Sequence, residues 1–458
     1  MEKLFGTDGI RGEAGKFPLD EKTVEVIGKS LARQFLEKLG RTPRFVTGRD
    51  TRESGAQIEL AFHKGATATE KANCESAGII TTPGVAFLTR KLDFDAGIVI
   101  SASHNPFQDN GIKIFSPSGE KIDAAMEREI EKDIFETQKS KLQNPNPETK
   151  SLMSDFQIDL SKEVEMQSVY LDYLANEFKT LSLENFKIVL DCANGAASEL
   201  APKLFRKFGA QVVAINNQPD GQNINENCGS LHLENLQAKV LEENADFGVA
   251  FDGDADRALF VDEKGNLVDG DATLWIMSRH LQAKGKLNNQ TIVATVMSNI
   301  GLEIALASKN IKLLRTPVGD KYVLQELLNT NSGVGGEQSG HIIFPERSLV
   351  GDGMMTTLFL LEALGENNKT LLEMSGGFMR FPQILVNVKV GKKLPFETIA
   401  EIAEAAKTVE NQLGKNGRLL LRYSGTENLA RVMIEGKNQA QIEAQANGLA
   451  EIIKANLS

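Results

Sequence analysis

Apolar residues recur at two spacings along this chain, and segments of helical and strand-like pattern alternate nearly throughout. In the clearest helical segment, Asp20–Leu39, a stripe of apolar residues repeats every three or four positions. Asp20 is a typical N-cap residue and Gly40 follows the last periodic position, so the pattern predicts a capped amphipathic helix. The residues of its predicted buried stripe are Val24, Ile27, Leu31 and Phe35.

Short continuous apolar runs predict buried strands, and longer periodic segments predict helices between them. The predicted strands are 44–48, 96–100, 187–190, 211–215, 247–251, 292–296 and 311–314, of which 96–100 has the buried pattern and 187–190, 211–215 and 247–251 are core strands. Further helices are predicted at about 55–72, 164–178, 321–328 and 352–364. The last part of the chain differs, with longer strands and two helices that predict an α+β module. Its predicted elements are strands 384–390, 419–422 and 431–434 and helices at about 395–413 and 438–455.

The predicted fold class is therefore α/β, with three successive α/β domains followed by a smaller α+β C-terminal domain. The length of 458 residues agrees with several domains of about 150 residues or fewer. A polar stretch at 137–155, with Pro145 and Pro147, is the first predicted boundary. The predicted domains are 1–155, 156–257, 258–375 and 376–458.

Composition narrows the possible partners. The net charge of −11 gives no support to binding of nucleic acid or an anionic membrane. The N-terminus lacks the apolar core of a signal peptide, and no apolar run approaches the length of a membrane span. The three cysteines are too few and too scattered for a disulfide framework, so we expect reduced thiols and a cytoplasmic location. The oligomeric state is left open, with a homodimer as the candidate assembly.

Ser103 lies in the segment Ser101-Ala-Ser103-His104-Asn105-Pro106, directly after the predicted strand 96–100. Ligands of α/β sheets bind beyond the carboxyl ends of strands, and a serine beside a histidine there can act as a covalent nucleophile. A polar turn that satisfies backbone groups is an open alternative. A serine-hydrolase elbow is excluded because the sequence contains no Gly-x-Ser-x-Gly.

Asp252, Asp254 and Asp256 follow the predicted strand 247–251 at alternate positions. Carboxylate oxygens are the ligands that Mg²⁺ and Ca²⁺ prefer, and like charges so close together favour a bound cation. An EF-hand is excluded because Arg257 occupies the position that requires glycine. A solvated acidic turn is the alternative that remains open.

Two further loops carry polar groups suited to a sugar phosphate. The segment 335–341, Gly-Gly-Glu-Gln-Ser-Gly-His, offers Glu337, Ser339 and His341 beside glycines that permit close approach of a ligand. The segment 422–428, Arg-Tyr-Ser-Gly-Thr-Glu-Asn, combines hydroxyls and turn amides with a guanidinium, which indicates an anion site. A tight turn with polar side chains explains the first of these segments almost as well, and a plain hairpin turn is the alternative for the second. Taken together, the nucleophile, the cation site, the sugar contacts and the anion site indicate phosphoryl transfer on a sugar phosphate.

These motifs, in this order, resemble the α-D-phosphohexomutase superfamily. The resemblance runs from Gly-Thr-Asp-Gly-Ile-Arg-Gly at 6–12 through the serine loop and Asp-Gly-Asp-Ala-Asp-Arg at 252–257 to the segment 422–428. It implies four domains around one central cleft, with Ser103 carried as phosphoserine. It also implies one Mg²⁺ per subunit, held by the serine phosphate together with Asp252, Asp254 and Asp256.

The resemblance also assigns roles to individual residues. The residues it places around the transferring phosphoryl group are Arg11, His104, Lys113, Arg257 and His341, the last as an acid or base. The residues it places on the sugar are Gly319, Asp320, Lys321, Glu337 and Ser339. The residues it places on the phosphate that does not react are Arg422, Ser424, Gly425 and Thr426, to which the sequence pattern adds Arg431.

The expected reaction interconverts glucosamine 6-phosphate and glucosamine 1-phosphate through glucosamine 1,6-bisphosphate, feeding synthesis of UDP-N-acetylglucosamine. The choice of sugar rests on the resemblance, mainly on segments 6–12 and 336–341. One alternative is the same chemistry on mannose or glucose phosphates. A second is a magnesium-dependent phosphatase that uses an aspartyl nucleophile. The third is a non-catalytic module that binds metal and phosphate.

Overall fold

In a computed structural model of the chain, residues 3–68, 71–143, 157–424 and 428–458 are described, the side chains of 140–143 excepted. By its internal contacts the chain divides into two units. Unit 1 comprises Met1–Val296 and Leu314–Gly376, and unit 2 comprises Met297–Leu313 and Gly377–Ser458.

The N-terminal part of unit 1 is built on a mixed sheet of order β1-β2-β6-β5-β3-β4. Strands β3, β4 and β5 are parallel, and β6 and β2 continue the sheet in antiparallel fashion. The strands are β1 (Phe5–Gly6), β2 (Gly9–Glu13), β3 (Arg44–Arg49), β4 (Asn73–Ile79), β5 (Ala96–Ile100) and β6 (Asp109–Phe115). The helices are α1 (Glu21–Leu39), α2 (Gly55–Thr67), α3 (Thr82–Lys91), α4 (Ala124–Gln143) and α5 (Glu163–Glu177).

Helix α1 confirms the capped helix predicted from the sequence. The Asp20 side chain accepts a hydrogen bond from the Thr23 amide, and Gly40 ends the helix in the left-handed conformation. All four residues of the predicted stripe are buried in the core of this sheet. Helix α1 approaches α2 closely because Gly28 and Gly65 lie at the crossing. A Cβ at Gly65 would stand 2.0 Å from the carbonyl oxygen of Glu25.

Two further sheets follow along the chain, with orders β11-β10-β9-β7-β8 and β13-β12-β14-β15. Each contains a parallel core, β8-β7-β9 in the first and β12-β14 in the second. The strands are β7 (Lys187–Asp191), β8 (Gln211–Ile215), β9 (Phe247–Phe251), β10 (Ala258–Asp262), β11 (Leu267–Val268), β12 (Thr291–Thr295), β13 (Lys312–Thr316), β14 (Gly335–Gly336) and β15 (Ile342–Ile343). The helices of this region are α6 (Ala197–Lys207), α7 (Glu234–Glu243), α8 (Gly270–Ala283), α10 (Asp320–Thr330), α11 (Gly353–Asn367) and α12 (Leu371–Ser375), and α9 (Ile300–Ala307) belongs to unit 2.

Unit 2 contains an antiparallel sheet of order β16-β18-β17. Its strands are β16 (Gln383–Lys389), β17 (Gly417–Tyr423) and β18 (Leu429–Gly436), and its later helices are α13 (Ala400–Leu413) and α14 (Gln439–Leu457). Apolar residues of α13, α14 and the sheet share one core. This confirms the predicted α+β character of the last part of the chain.

Several predictions differ from the structure, among them the helix predicted from about 395, which begins at Ala400. Helix α2 ends at Thr67, five residues before the predicted end at 72, and 69–70 lie outside the described residues. Helix α4 continues to Gln143, so the polar stretch predicted as a boundary from residue 137 begins as helix. The rest of that stretch, 144–156, lies outside the described residues, and the predicted domain boundaries stay predictions. No helix in the described ranges is long and apolar enough to cross a membrane.

Candidate active site

Ser103 lies in the loop between β5 and β6, in a backbone conformation that serine seldom adopts. Its φ is 54°, in the left-handed region, and its residue is 1% exposed. The Ser103 Oγ donates a hydrogen bond to Asp252 Oδ2 at 2.5 Å. His104 Nδ1 lies 3.2 Å from the same Oγ. The predicted nucleophile therefore stands directly against the predicted metal ligands.

The three aspartates form a compact buried cluster at the carboxyl end of β9. One oxygen of each of Asp252, Asp254 and Asp256 lies within 4.8 Å of the others. Burial raises the pKa of Asp252, and the neighbouring carboxylates of Asp256 and Asp254 raise it further. Hard oxygen donors at this spacing fit a divalent cation, which would relieve the repulsion that raises this pKa.

Lys113, on β6, neutralises one side of this cluster. The Lys113 side chain is 1% exposed. Its Nζ lies 2.7 Å from Asp254 Oδ2 and 3.3 Å from Asp256 Oδ2. The Oδ1 atom of Asp254 is buried and has no hydrogen-bond partner among the residues that the structure describes. The lysine thus holds one face of the carboxylates and leaves an oxygen on Asp254 available to a metal ion. This division of oxygens is the observation that makes the cluster fit Mg²⁺.

Asp8, which the sequence analysis did not single out, links several cations of the site. Lys113 Nζ lies 3.1 Å from Asp8 Oδ2, Lys121 Nζ lies 2.6 Å from Asp8 Oδ1, and Arg11 on β2 donates to Asp8 Oδ2. Burial raises the pKa of Asp8, but these cations outweigh it and hold the pKa well below its usual range. Lys121 also reaches Asp320 Oδ2 at 2.6 Å. The Gly-Thr-Asp-Gly turn could have indicated Asp8, whereas Lys121 carries no local signal because both partners are distant in sequence.

His104 and Arg257 lie beside the cluster, as predicted for neighbours of the transferring group. Burial lowers the pKa of His104, and the charges of Arg257 and Arg11 contribute, bringing it to about 4. The Arg257 amide donates to Asp252 Oδ1 at 3.2 Å, and its guanidinium Nε lies 3.8 Å from Asp256 Oδ1. His104 thus borders Ser103 Oγ, and Arg257 borders the aspartate cluster.

His341 is held on both ring nitrogens. Nδ1 lies 3.6 Å from Asp256 Oδ1, and the Gly351 amide donates to Nε2 at 3.0 Å. Burial lowers the pKa of His341, whereas the carboxylates of Asp256, Asp320 and Glu337 raise it above its usual range and favour a protonated ring; the hydrogen bond from the Gly351 amide opposes them. A protonated Nε2 could not accept the Gly351 hydrogen bond, so the geometry favours a neutral ring with its proton on Nδ1. The Gly351 amide fixes this tautomer because it donates directly to Nε2.

The segment 335–341 and the start of α10 meet through Glu337. Glu337 Oε1 accepts from the Gly319 amide at 3.1 Å, and its Oε2 accepts from Ser339 Oγ at 3.3 Å. Gly319 has a φ of 132°, a conformation that favours glycine, immediately before α10. Lys321 stands over the Tyr322 ring, with its Nζ 5.2 Å from the ring centroid. Glu337 thus links Ser339 to Gly319, which directly precedes Asp320 and Lys321, the other predicted sugar-binding residues of unit 1.

These groups border a cleft of about 390 Å³ within unit 1. Its walls include Arg11, Asp256, Arg257, Asp320, Glu337 and His341. That volume lies in the range of small-molecule sites, and its charged lining suits an anionic, hydroxylated ligand.

In unit 2, Arg422 on β17 stands directly opposite Arg431 on β18. Like charges in such a cross-strand pair repel each other, so the pair favours an anion nearby. Burial and the charge of Arg431 lower the pKa of Arg422. The Ser424 amide donates to Leu429 O at 2.8 Å, and Lys393 Nζ donates to Ser424 O at 2.8 Å. Gly425 and Thr426 lie outside the described residues.

Consecutive parts of the chain match the four domains described for phosphoglucomutase/phosphomannomutase. The α/β/α domains I, II and III match residues 2–141, 168–265 and 269–381, and the C-terminal domain matches residues 385–452. The chain belongs to the phosphoglucomutase/phosphomannomutase family. This confirms the predicted fold class and the resemblance to phosphohexomutases, which are isomerases.

Similar relatives along the whole chain carry a more specific name. The phosphoglucosamine mutase of Solibacter usitatus is 46% identical over 455 residues, which cover 99% of each chain. The phosphoglucosamine mutase of Caldicellulosiruptor saccharolyticus is 45% identical over 463 residues, which cover 100% of each chain.

Solved structures share the fold at lower identity. A phosphoglucomutase/phosphomannomutase family protein from Burkholderia thailandensis has a TM-score of 0.77 at 22% identity, over 99% of this chain and 97% of that one. The N-acetylphosphoglucosamine mutase of Aspergillus fumigatus, in complex with GlcNAc-6P and magnesium, has a TM-score of 0.67 at 19% identity, over 99% and 96% of the two chains.

Proposed function

We propose that this protein interconverts glucosamine 6-phosphate and glucosamine 1-phosphate, and that Ser103 carries the phosphoryl group as phosphoserine. The contact of Ser103 Oγ with Asp252, inside a buried carboxylate cluster, is the observation that carries the proposal. The names of the similar full-length relatives support glucosamine as the sugar. The product would feed synthesis of UDP-N-acetylglucosamine.

The reaction consists of two phosphoryl transfers. In the first, the bond from phosphorus to Ser103 Oγ breaks while a bond to O1 of the 6-phosphate forms, and the O1 proton is balanced by one that Oγ takes up. In the second, Oγ attacks the phosphorus on O6 of the resulting 1,6-bisphosphate, the bond to O6 breaks, and O6 takes up a proton. His104 Nδ1, at 3.2 Å from Oγ, is placed to relay the proton that leaves or reaches the serine.

The remaining residues bind and orient. Lys113 and Arg257 place positive charge beside the transferring group, where it balances the charge of the phosphoryl oxygens. Asp252, Asp254 and Asp256, with the serine phosphate, would hold Mg²⁺, which supplies further neutralisation of that charge. Glu337 and Ser339 offer an acceptor and a hydroxyl to the sugar, next to Gly319, Asp320 and Lys321. His341 keeps Asp256 in place rather than acting as the acid or base expected from the resemblance.

The choice of sugar can be tested by comparing glucosamine, mannose and glucose 6-phosphates, each with Mg²⁺ and a trace of the matching 1,6-bisphosphate. We expect kcat/KM to be highest for glucosamine 6-phosphate, by at least about tenfold, with the 1-phosphate as product in a ³¹P NMR assay. A higher kcat/KM for either other sugar would move the protein to that substrate. Release of inorganic phosphate as the main product would instead favour the aspartyl phosphatase.

The predicted phosphate-binding residues around Arg422 should bind the phosphate that does not react. Arg422→Ala should lower kcat/KM by roughly 10- to 150-fold, because a guanidinium can make charge-assisted hydrogen bonds worth about 1.5–3 kcal/mol each. The loss should be similar for the 6-phosphate and the 1-phosphate, and added glucosamine 1,6-bisphosphate should partly restore the rate. The exposed Lys415 offers a control, since Lys415→Ala removes a charge from the same unit outside the predicted site. Damage to one reaction direction only would contradict this role.

A further inference from the structure

The backbone at Ser103 requires support that its own side chain does not supply. A non-glycine residue with a φ of 54° is disfavoured and persists only where the surroundings impose it. The loop must also keep this geometry while the serine gains and loses a phosphoryl group, if the proposed function holds. We propose that Arg52 and Asn225 are the positioning residues that impose it, by holding the carbonyl groups on either side of His104.

Arg52 holds the loop from the side of the first sheet. It is 1% exposed, and its Nη2 donates to the carbonyl oxygens of both Ser103 (3.2 Å) and Asn105 (2.5 Å). Its Nη1 pairs with Asp50, which is also completely buried. The Asp50 amide donates to Ile100 O, at the end of β5. The guanidinium is therefore anchored to the same strand from which the serine loop departs.

Asn225, which comes more than 100 positions later in the chain, binds the same two carbonyl oxygens. Its Nδ2 donates to Ser103 O at 2.9 Å and to Asn105 O at 3.0 Å. Its amide donates to Ala193 O, which fixes it beside the end of β7. Each NH₂ group carries two protons, and Arg52 and Asn225 each direct both of them at these carbonyls.

The metal-binding loop contacts the same point. A Cβ at Gly253, between Asp252 and Asp254, would stand 2.5 Å from Ser103 O and 3.0 Å from Asn225 Nδ2. The backbone of the metal-binding loop thus packs on the carbonyl that Arg52 and Asn225 hold. Because the serine carbonyl is fixed against this backbone, Ser103 Oγ stays aligned with Asp252. Neither Arg52 nor Asn225 needs to touch the substrate for this alignment.

The test uses Asn225→Ala and Arg52→Lys in the full-length enzyme. Loss of the alignment should lower kcat by about 10²-fold while KM stays within about threefold, because a small misplacement of a reacting group mainly affects the chemical step. The ³¹P resonance of phosphoserine should shift or broaden in both variants. More of the phosphoserine phosphate should also be lost as inorganic phosphate per turnover.

Two controls separate positioning from general loosening. Asn223→Ala removes side-chain hydrogen bonds to Gln218 and Asp220 in the same loop as Asn225. Arg279→Lys removes a guanidinium contact to a backbone carbonyl elsewhere in the protein. Both should keep the wild-type kcat and phosphoserine resonance, whatever their melting temperatures. If Arg52→Lys does not fold, Asn225→Ala and Asn225→Asp carry the test. Wild-type kcat and resonance in the Asn225 variants would overturn the proposal, whereas a wild type that forms no phosphoserine would contradict the proposed function itself.

Discussion

Replacement of Ser103 by alanine should lower mutase turnover by about 10⁵-fold or more, since removal of a covalent nucleophile eliminates the phosphoryl carrier. The Oγ donates to Asp252, so the substitution also removes one hydrogen bond between the serine loop and the aspartate loop 252–256. The fold should remain intact, because the loop backbone keeps its other hydrogen bonds. Steady-state assays with glucosamine 6-phosphate measure the loss of turnover, and intact-protein mass spectrometry measures the loss of the phosphoryl group.

Ser118→Ala provides the control for this variant. Ser118 is an exposed hydroxyl in the same α/β region, and its bonds go to Ser116 and Glu120. That variant should retain full activity and one phosphoryl group. Mutase turnover in Ser103→Ala at the wild-type rate would contradict the assignment of the nucleophile, and net release of inorganic phosphate by that variant would favour the aspartyl phosphatase.

Asp254→Asn should lower kcat by about 10³-fold at saturating Mg²⁺, equivalent to about 4 kcal/mol of lost transition-state stabilisation. The amide keeps the shape of the side chain but removes the charge that both Lys113 and a divalent cation require. Chelation of the wild type with EDTA should abolish activity, and added Mg²⁺ should restore it. Isothermal titration calorimetry with Mg²⁺ should show weaker Mg²⁺ binding in the variant.

Asp262→Asn is the matched control for a buried carboxylate in the same sheet. Asp262 accepts from the amides of Lys264 and Asn266 in a turn after β10, outside the metal cluster. Its substitution should affect stability and leave kcat and Mg²⁺ affinity unchanged. Full activity of verified metal-free enzyme would contradict the metal site.

Helices and strands with a strong local pattern could be predicted from the sequence. Helix α1 has a cap, an apolar stripe and a terminal glycine, and strands such as β5 and β9 are continuous apolar runs with the predicted bounds. Strands β14 and β15 contain two residues each, too few to show a periodic pattern in the sequence. They form strands because they pair with each other within the sheet. Helix α4 extends past Thr137 through a polar sequence whose composition alone indicated a boundary.

Three of the candidate loops could be recognised in the sequence because chemistry-bearing residues follow the end of a predicted strand, after 96–100, 247–251 and 419–422. What the sequence could not supply was contact over long separations. Lys121 meets Asp320 across 199 positions, and Asn225 meets Ser103 across 122. The hydrogen bond from the Gly351 amide to His341 is likewise a tertiary contact that no local pattern in the sequence indicates.

The central claim is that Ser103 itself carries the phosphoryl group from one substrate oxygen to the other. It is tested most directly by a single turnover of enzyme labelled with ³²P at Ser103, mixed with unlabelled glucosamine 6-phosphate. The account predicts that the label appears in glucosamine 1,6-bisphosphate and at the 1-position of the product, while Ser103 is rephosphorylated from unlabelled O6. Label that stays on the protein while product forms, or that leaves only as inorganic phosphate, would contradict it.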